Sequence, residues 1–398
     1  MPLQNVLQFN SAQANENWFA ELPAKAAVFA LFPEQDTAPP YISRTADLRR
    51  RLRRLLGETI EFSHKLNLRG FTRRLEFQLT GSKLESQWLL YQLNRTYYPR
   101  QYRRRLRIKP PPLVKINLRN AFPRCYPTRR VAADGSLYYG PFPSYAASER
   151  FISTFLDLFK IRRCTPDLDP NPAHPGCIYS QMQMCLAPCF QGCTQEEYSR
   201  EVTRVAGFLD TGGLVFIRDS EAEREAASEA LEFETAQRIH RRIEKAQEAL
   251  RMKGALACRL DQLNAIILQR AAIDKQVVFF RVIRGRLFGP STLALEENVS
   301  SPAPLDGRLR AMLDDLESLA PAQESAAAAG RGSSAPAWEH LALISRWFYS
   351  SFREGEWVPL PTSGDIPHTR LIRLCRKLTA PHAAVQAENG IAAPPASV

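Results

Sequence analysis

The sequence predicts an α+β multidomain protein, and three observations carry that reading. The chain has 398 residues, room for roughly two to four domains, each able to bury its own core. It is 44% hydrophobic and 24% charged, the composition of ordinary globular protein. The period of its apolar residues switches from strand-like alternation to helical spacing and back.

Taken in order, residues 1–20 are polar and read as a loose N-terminus. Residues 21–100 read as a small α/β unit with a three-stranded sheet and flanking helices. AAVFALF and PYIS are strands separated by the breaker DTAPP. TADLRRRLRRLLG is a helix, with Thr45 or Asp47 near its start and Gly57 past its end. LEFQLT alternates as a third strand. SKLESQWLLYQLNRTYY is a helix, with Ser82 as N-cap and Glu85 completing a capping box. Residues 101–200 read as a basic linker and a cysteine region, in which PPPLVKINL and SLYYGPF bracket a unit with a hairpin turn at Asp134-Gly135-Ser136. SYAASERFISTFLDLFKI follows as an amphipathic helix. Residues 201–256 read as a helical hairpin, with an apolar seam at Ala236, Ile239, Ile243, Ala246 and Leu250. A β-meander is expected over 257–320, a low-complexity linker over 321–337, a helical segment over 338–380 and a disordered tail over 381–398.

The net charge is +12 with a pI near 9.5, and it is unevenly placed. Between Tyr41 and Arg130 there are 23 Lys and Arg against 5 Asp and Glu, so the rest of the chain is mildly acidic. A basic segment on an acidic body points to a polyanion, and interleaved Tyr91, Tyr97, Tyr98 and Tyr102 point to nucleic acid. The N-terminus lacks the basic-then-apolar order of a signal peptide, and no run approaches the ~18–20 apolar residues of a membrane span. A cytoplasmic protein is expected, with no membrane partner.

Five of the eight cysteines fall in thirty residues, at Cys164, Cys177, Cys185, Cys189 and Cys193. In a reducing compartment this predicts a thiolate metal site rather than disulfides. Four thiolates suit an iron–sulfur cluster or tetrahedral zinc.

Three stretches together resemble the UvrC family, the incising component of the bacterial UvrABC excision-repair nuclease. The strand, YIS, arginine helix, strand, helix order at 25–99 looks like a GIY-YIG nuclease domain. YYGPFPSYAASERFISTFLDLFKIRRC at 138–164 and the cysteines after it are similar to the family's G-P-F-P segment and cysteine region. ASEALEFETAQRIHRRIEKAQ at 227–247 looks like the family's UVR motif. The resemblance covers about residues 20–300. Nothing beyond residue 300 looks like the family's RNase H-like nuclease or its helix-hairpin-helix modules.

The resemblance implies a set of site residues. GIY-YIG enzymes meet the charge that builds at phosphorus with an arginine and one divalent metal held by a glutamate, Mg²⁺ or Mn²⁺. The second tyrosine and helix arginine of the family match Tyr41 and Arg51. Its first tyrosine falls on Phe29, which has no hydroxyl, and its metal-binding glutamate on Leu90, which cannot ligate a cation. DNA contacts are expected from Arg44, Arg49, Arg50, Arg53, Arg54, Arg103, Arg104 and Arg105. Cys164, Cys177, Cys185 and Cys189 match the family's cluster ligands, which favours [4Fe–4S] over zinc. Leu231, Phe233, Ala236 and Ile243 match the surface that docks a UvrB-like partner. The expected function is DNA binding in nucleotide excision repair with an impaired nuclease site. An active single-incision endonuclease and a non-enzymatic adaptor are the alternatives.

Overall fold

The computed structural model describes residues 3–12, 15–34, 38–58, 66–165, 168–296, 304–328, 337–361 and 365–380. It is mixed α+β, with three four-stranded antiparallel sheets among these residues.

The first unit comprises β1 (Asn5–Gln8), α1 (Glu16–Glu21), β2 (Ala27–Phe32), β3 (Tyr41–Thr45), α2 (Leu48–Leu56), β4 (Arg74–Leu79) and α3 (Lys83–Tyr97). Its sheet has the order β1-β4-β2-β3, four strands rather than three. The added edge strand comes from the segment expected to be loose. All four side chains of β1 are exposed, so no apolar alternation marks it; Leu3 and Phe9 on either side are buried. Every residue of β2 is buried because each sheet face carries a helix. Phe29 and Leu31 pack against Leu48, Leu52, Leu55 and Leu56 of α2, and Val28, Ala30 and Phe32 against Leu89 and Leu93 of α3. Each buried leucine contributes about 1.5–3 kcal/mol. Asp47 caps α2 by accepting the Arg50 N–H at 2.9 Å, and Gly57 ends it. Ser82 caps α3, but the Glu85 carboxylate reaches back to the Gly81 N–H at 2.9 Å, not to Ser82.

The second unit begins with α4 (Tyr102–Arg105) and contains β5 (Leu113–Ile116), β6 (Cys125–Thr128), β7 (Leu137–Gly140), α5 (Tyr145–Leu156), α6 (Ile178–Gln181), α7 (Gln195–Asp210), α8 (Leu214–Glu229), α9 (Phe233–Met252) and β8 (Cys258–Arg259). The sheet order is β6-β5-β7-β8. The turn at Asp134-Gly135-Ser136 therefore does not close a hairpin, because β6 and β7 flank β5 instead of pairing with each other. One core joins Phe151 and Phe155 of α5, Tyr198 and Phe208 of α7, and Ala246 and Ala249 of α9.

The third unit corrects the expected boundaries. β9 (Ala265–Arg270), β10 (Gln276–Ile283) and β11 (Arg286–Ala294) form the meander, and a tight Arg284-Gly285 turn with both φ positive joins the last two. α10 (Leu305–Ala328) continues through the first half of the expected linker; residues 329–336 lie outside the described residues. α11 (Ala337–Phe348), β12 (Glu356–Pro359) and α12 (His368–Thr379) follow. The segment expected to be helical thus supplies a strand, which pairs with β9 to give the order β11-β10-β9-β12. The meander and the C-terminal segment are one unit. The expected tail, 381–398, lies outside the described residues.

α10 and α12 cover one face of this sheet. The other face is shared by α11 and by α3 of the first unit, so Leu84, Trp88 and Tyr91 lie in one core with Ile267, Phe280 and Leu341. At Gly81 a Cβ would lie 2.1 Å from the Arg270 carbonyl oxygen. Only glycine allows that approach between units.

Candidate functional site

Strands β2 and β3 and helix α2 bring Phe29, Tyr41 and Arg51 together. The Phe29 and Tyr41 rings are 6.3 Å apart. Arg51 Nη2 donates to the Tyr41 hydroxyl at 3.1 Å, and Arg51 Nε is buried with no hydrogen-bond partner among the described residues. A guanidinium and a phenol are thus aimed at one surface over a buried phenyl ring. Leu90 does not join them. It packs on the opposite sheet face, beside the cluster of Val28, Ala30, Ile42 and Leu93. Glu85 does not replace it, because its carboxyl is buried and hydrogen-bonded to the Gly81 N–H, and burial pushes it up to about 7. A carboxyl half-protonated near neutral pH is a poor ligand for a hard cation. Among the described residues, none brought to this face supplies a carboxylate that fits a Mg²⁺ or Mn²⁺ site.

The arginines divide into two groups. Arg49 donates to the Leu22 carbonyl at 2.7 Å, and Arg53 pairs with Glu16 at 2.8 Å. Arg103 Nε meets Glu339 Oε1 at 2.6 Å. Arg105 donates to Asn94 and lies 3.7 Å over the Tyr98 ring. Arg53, Arg103 and Arg105 are exposed although engaged within the chain, and with exposed Arg44, Arg50, Arg54 and Arg104 they carry the charge that can meet phosphate. Two of the interleaved tyrosines are not free to stack on a base. Tyr91 and Tyr102 are buried, and both hydroxyls donate to Glu339 at 2.7 Å. Tyr97 and Tyr98 are half-buried against the α3-side core. Glu339, fully buried, therefore ties α3, the basic α4 and α11 at one point. Sequence reasoning missed it; the one available signal was an acid inside the apolar run AWEHLALI.

Cys164, Cys177, Cys185 and Cys189 line one small cavity, with Arg162 and Tyr179 in its wall. Ala187 N–H donates to Cys185 Sγ at 3.4 Å, and Arg162 Nη1 approaches Cys164 Sγ at 3.6 Å. Ala187 and Gln191 take left-handed conformations that fold the loop around Cys189. Burial pushes the Cys185 thiol up to about 11, against a lowering contribution from the Ala187 N–H, with the neighbouring cysteines adding to the rise; burial also pushes Cys189 up. Cys193 packs instead beside the second unit's core. Among the described residues, no three His, Cys, Asp or Glu side chains are grouped tightly enough to hold a single ion. The donor set, four thiols on one cavity with N–H groups turned to sulfur, fits a thiolate-bound group chemically.

The helical hairpin of α8 and α9 has two ends. Ile243, Ala246 and Ala249 are buried within the chain, and Ala236 is half-buried. At the turn, Leu231 is 71% and Phe233 67% exposed. Among the described residues, no helix is long and apolar enough to cross a membrane.

A family profile described as the UvrC/Cho excinuclease middle domain matches residues 112–208, which span β5 through most of α7. The chain is 26% identical over 272 residues to the UvrABC system protein C of Ruminiclostridium cellulolyticum, covering 68% of this chain and 44% of that protein. It is 30% identical over 229 residues to that of Carboxydothermus hydrogenoformans, covering 56% and 36%. It is 32% identical over 197 residues to that of Alcanivorax borkumensis, covering 49% and 32%. No solved structure matches. The chain is a distant homologue of the UvrC family that carries the family's middle domain and spans less than half the length of the relatives it matches.

Proposed function

We propose that this chain binds DNA in nucleotide excision repair and that its nuclease-like domain holds the strand without cutting it. One observation carries the reading: the retained Tyr41–Arg51 pair sits over Phe29, which can neither accept nor relay a proton, while Leu90 lies across the sheet from it. Exposed Arg44, Arg50, Arg54 and Arg104 supply phosphate contacts. The four cysteines would hold a [4Fe–4S] cluster, with zinc as the alternative. Such a group cross-links the loops between 164 and 189 next to α5 and fixes the surface they form. The exposed Leu231 and Phe233 favour a second role, docking of a UvrB-like partner on the α8–α9 turn, since two large apolar side chains at one turn are otherwise costly to leave in water. The test scores one lesion-bearing duplex for binding and for strand breakage with Mg²⁺ or Mn²⁺. Salt-sensitive binding without breakage is expected. Metal-dependent breakage that disappears in Arg51→Ala would overturn the reading.

A further inference from the structure

Where the first and third units meet, a cavity of about 480 Å³ is lined by Arg44, Thr45, Ser82, Lys83 and Ser86 of the first unit and by Glu354 of the third. It is basic on one side, with Arg44 exposed and Lys83 half-exposed. Glu354 adds a carboxylate to its wall. Glu354 Oε2 accepts the Lys83 backbone N–H at 3.0 Å, and Oε1 lies 3.7 Å from Lys83 Nζ. Arg44 and Lys83 thus share this seam with one carboxylate.

Glu354 does not need its carboxylate to stay in place. Its backbone carbonyl is gripped by the Trp347 indole N–H at 3.0 Å and the Gln269 amide at 3.1 Å. Gly355 follows at φ +79, where a Cβ would lie 2.2 Å from the Leu268 carbonyl oxygen. The segment between α11 and β12 is therefore anchored through its backbone. The Glu354–Lys83 pair is about half exposed on both sides, so it adds little stability and is readily displaced. The same segment leaves Phe352 81% exposed, although Arg353 beside it is committed to the Phe348 ring at 4.6 Å. An exposed phenyl ring two residues before Glu354, which lines the basic cavity, suits a nucleic-acid strand, because bases stack on aromatic rings whatever their sequence.

We propose that the Glu354 side chain gates a phosphate pocket: a nucleic-acid strand seats one backbone phosphate on Arg44 and the Lys83 N–H in place of the Glu354 carboxylate, and lays a base on Phe352. This rests on the DNA-holding reading above and adds to it the third unit as part of the strand's path.

The test is fluorescence anisotropy of a labelled single strand with the full chain, repeated across salt concentrations. Glu354→Gln keeps the backbone anchors and is expected to tighten binding about two- to fivefold at low salt. That gain must vanish in an Arg44→Ala background and must not appear in Glu221→Gln, an exposed acid on α8. Phe352→Ala is expected to weaken binding at least about fivefold with no change in the salt slope, since stacking is uncharged. Salt-sensitive wild-type binding with no gain in Glu354→Gln would overturn the gate and leave the DNA-holding reading standing. An equal gain in Glu221→Gln would reduce the effect to net charge and overturn the pocket. No binding by wild type or by Glu354→Gln would overturn both.

Discussion

Phe29 decides what the nuclease-like face can do. In β2 its ring is completely buried against α2, as part of the core. Tyr41 and Arg51 keep their mutual hydrogen bond above it. This much was legible from sequence, because strand and helix order fix which side chains meet. The burial of Glu85 was not, since it depends on packing against a unit some two hundred residues away. Its consequence is measurable. Burial favours the neutral carboxyl in the folded chain, so Glu85 contributes stability that is fully present below its ordinary value of 4.5 and lost as the pH rises through about 7. His340 runs the other way. Burial pushes it down from 6.5 to about 3, so its contribution is present above 6.5 and lost as the pH falls toward 3. Glu85→Gln should raise Tm at pH 8 and remove its own share of the slope between about pH 4.5 and 7, worth up to roughly 3 kcal/mol. Thermal melts of wild type and variant across that range check this, and identical profiles would show that Glu85 does not titrate in the fold.

At the scale of the element, local chemistry was readable and long-range pairing was not. Helix α2 announces itself through Asp47, four leucines and Gly57. β1 and β12 gave no comparable signal: one exposes all its side chains, and the other is four residues long between helices. Both exist because a partner strand offers unpaired backbone groups. The cysteine loops show the same division. Their spacing implied a shared site, and Cys164, Cys177, Cys185 and Cys189 do line one cavity, while Cys193 packs elsewhere. Protein purified without oxygen should absorb near ~400 nm through a cluster on these four thiolates. Cys185→Ser should remove most of that absorbance and Cys193→Ser little of it. Colourless protein with stoichiometric zinc would replace the cluster with a zinc site.

For the whole molecule, the first and third units share a core and cannot be treated as beads on a string. Trp88 donates its indole N–H to the Gly289 carbonyl at 2.7 Å, and Tyr91, Tyr102 and Arg103 converge on Glu339 from the third unit. The basic linker, read from sequence as part of a polyanion-binding stretch, is therefore held in a set orientation, with Arg104 exposed and the exposed Arg103 paired to Glu339. Glu339→Ala leaves two buried phenols without their acceptor and should cost roughly 3 kcal/mol, read as a lower urea midpoint with an unchanged slope. A neutral result would show that the units do not depend on this contact. The proposed function stands on the separation of holding from cutting. Its most direct test is the Mg²⁺- and Mn²⁺-dependent incision of a lesion-bearing duplex by wild type and Arg51→Ala, with binding scored in the same samples. The prediction is salt-sensitive binding by wild type and no incision by either protein; incision by wild type that Arg51→Ala abolishes would contradict it.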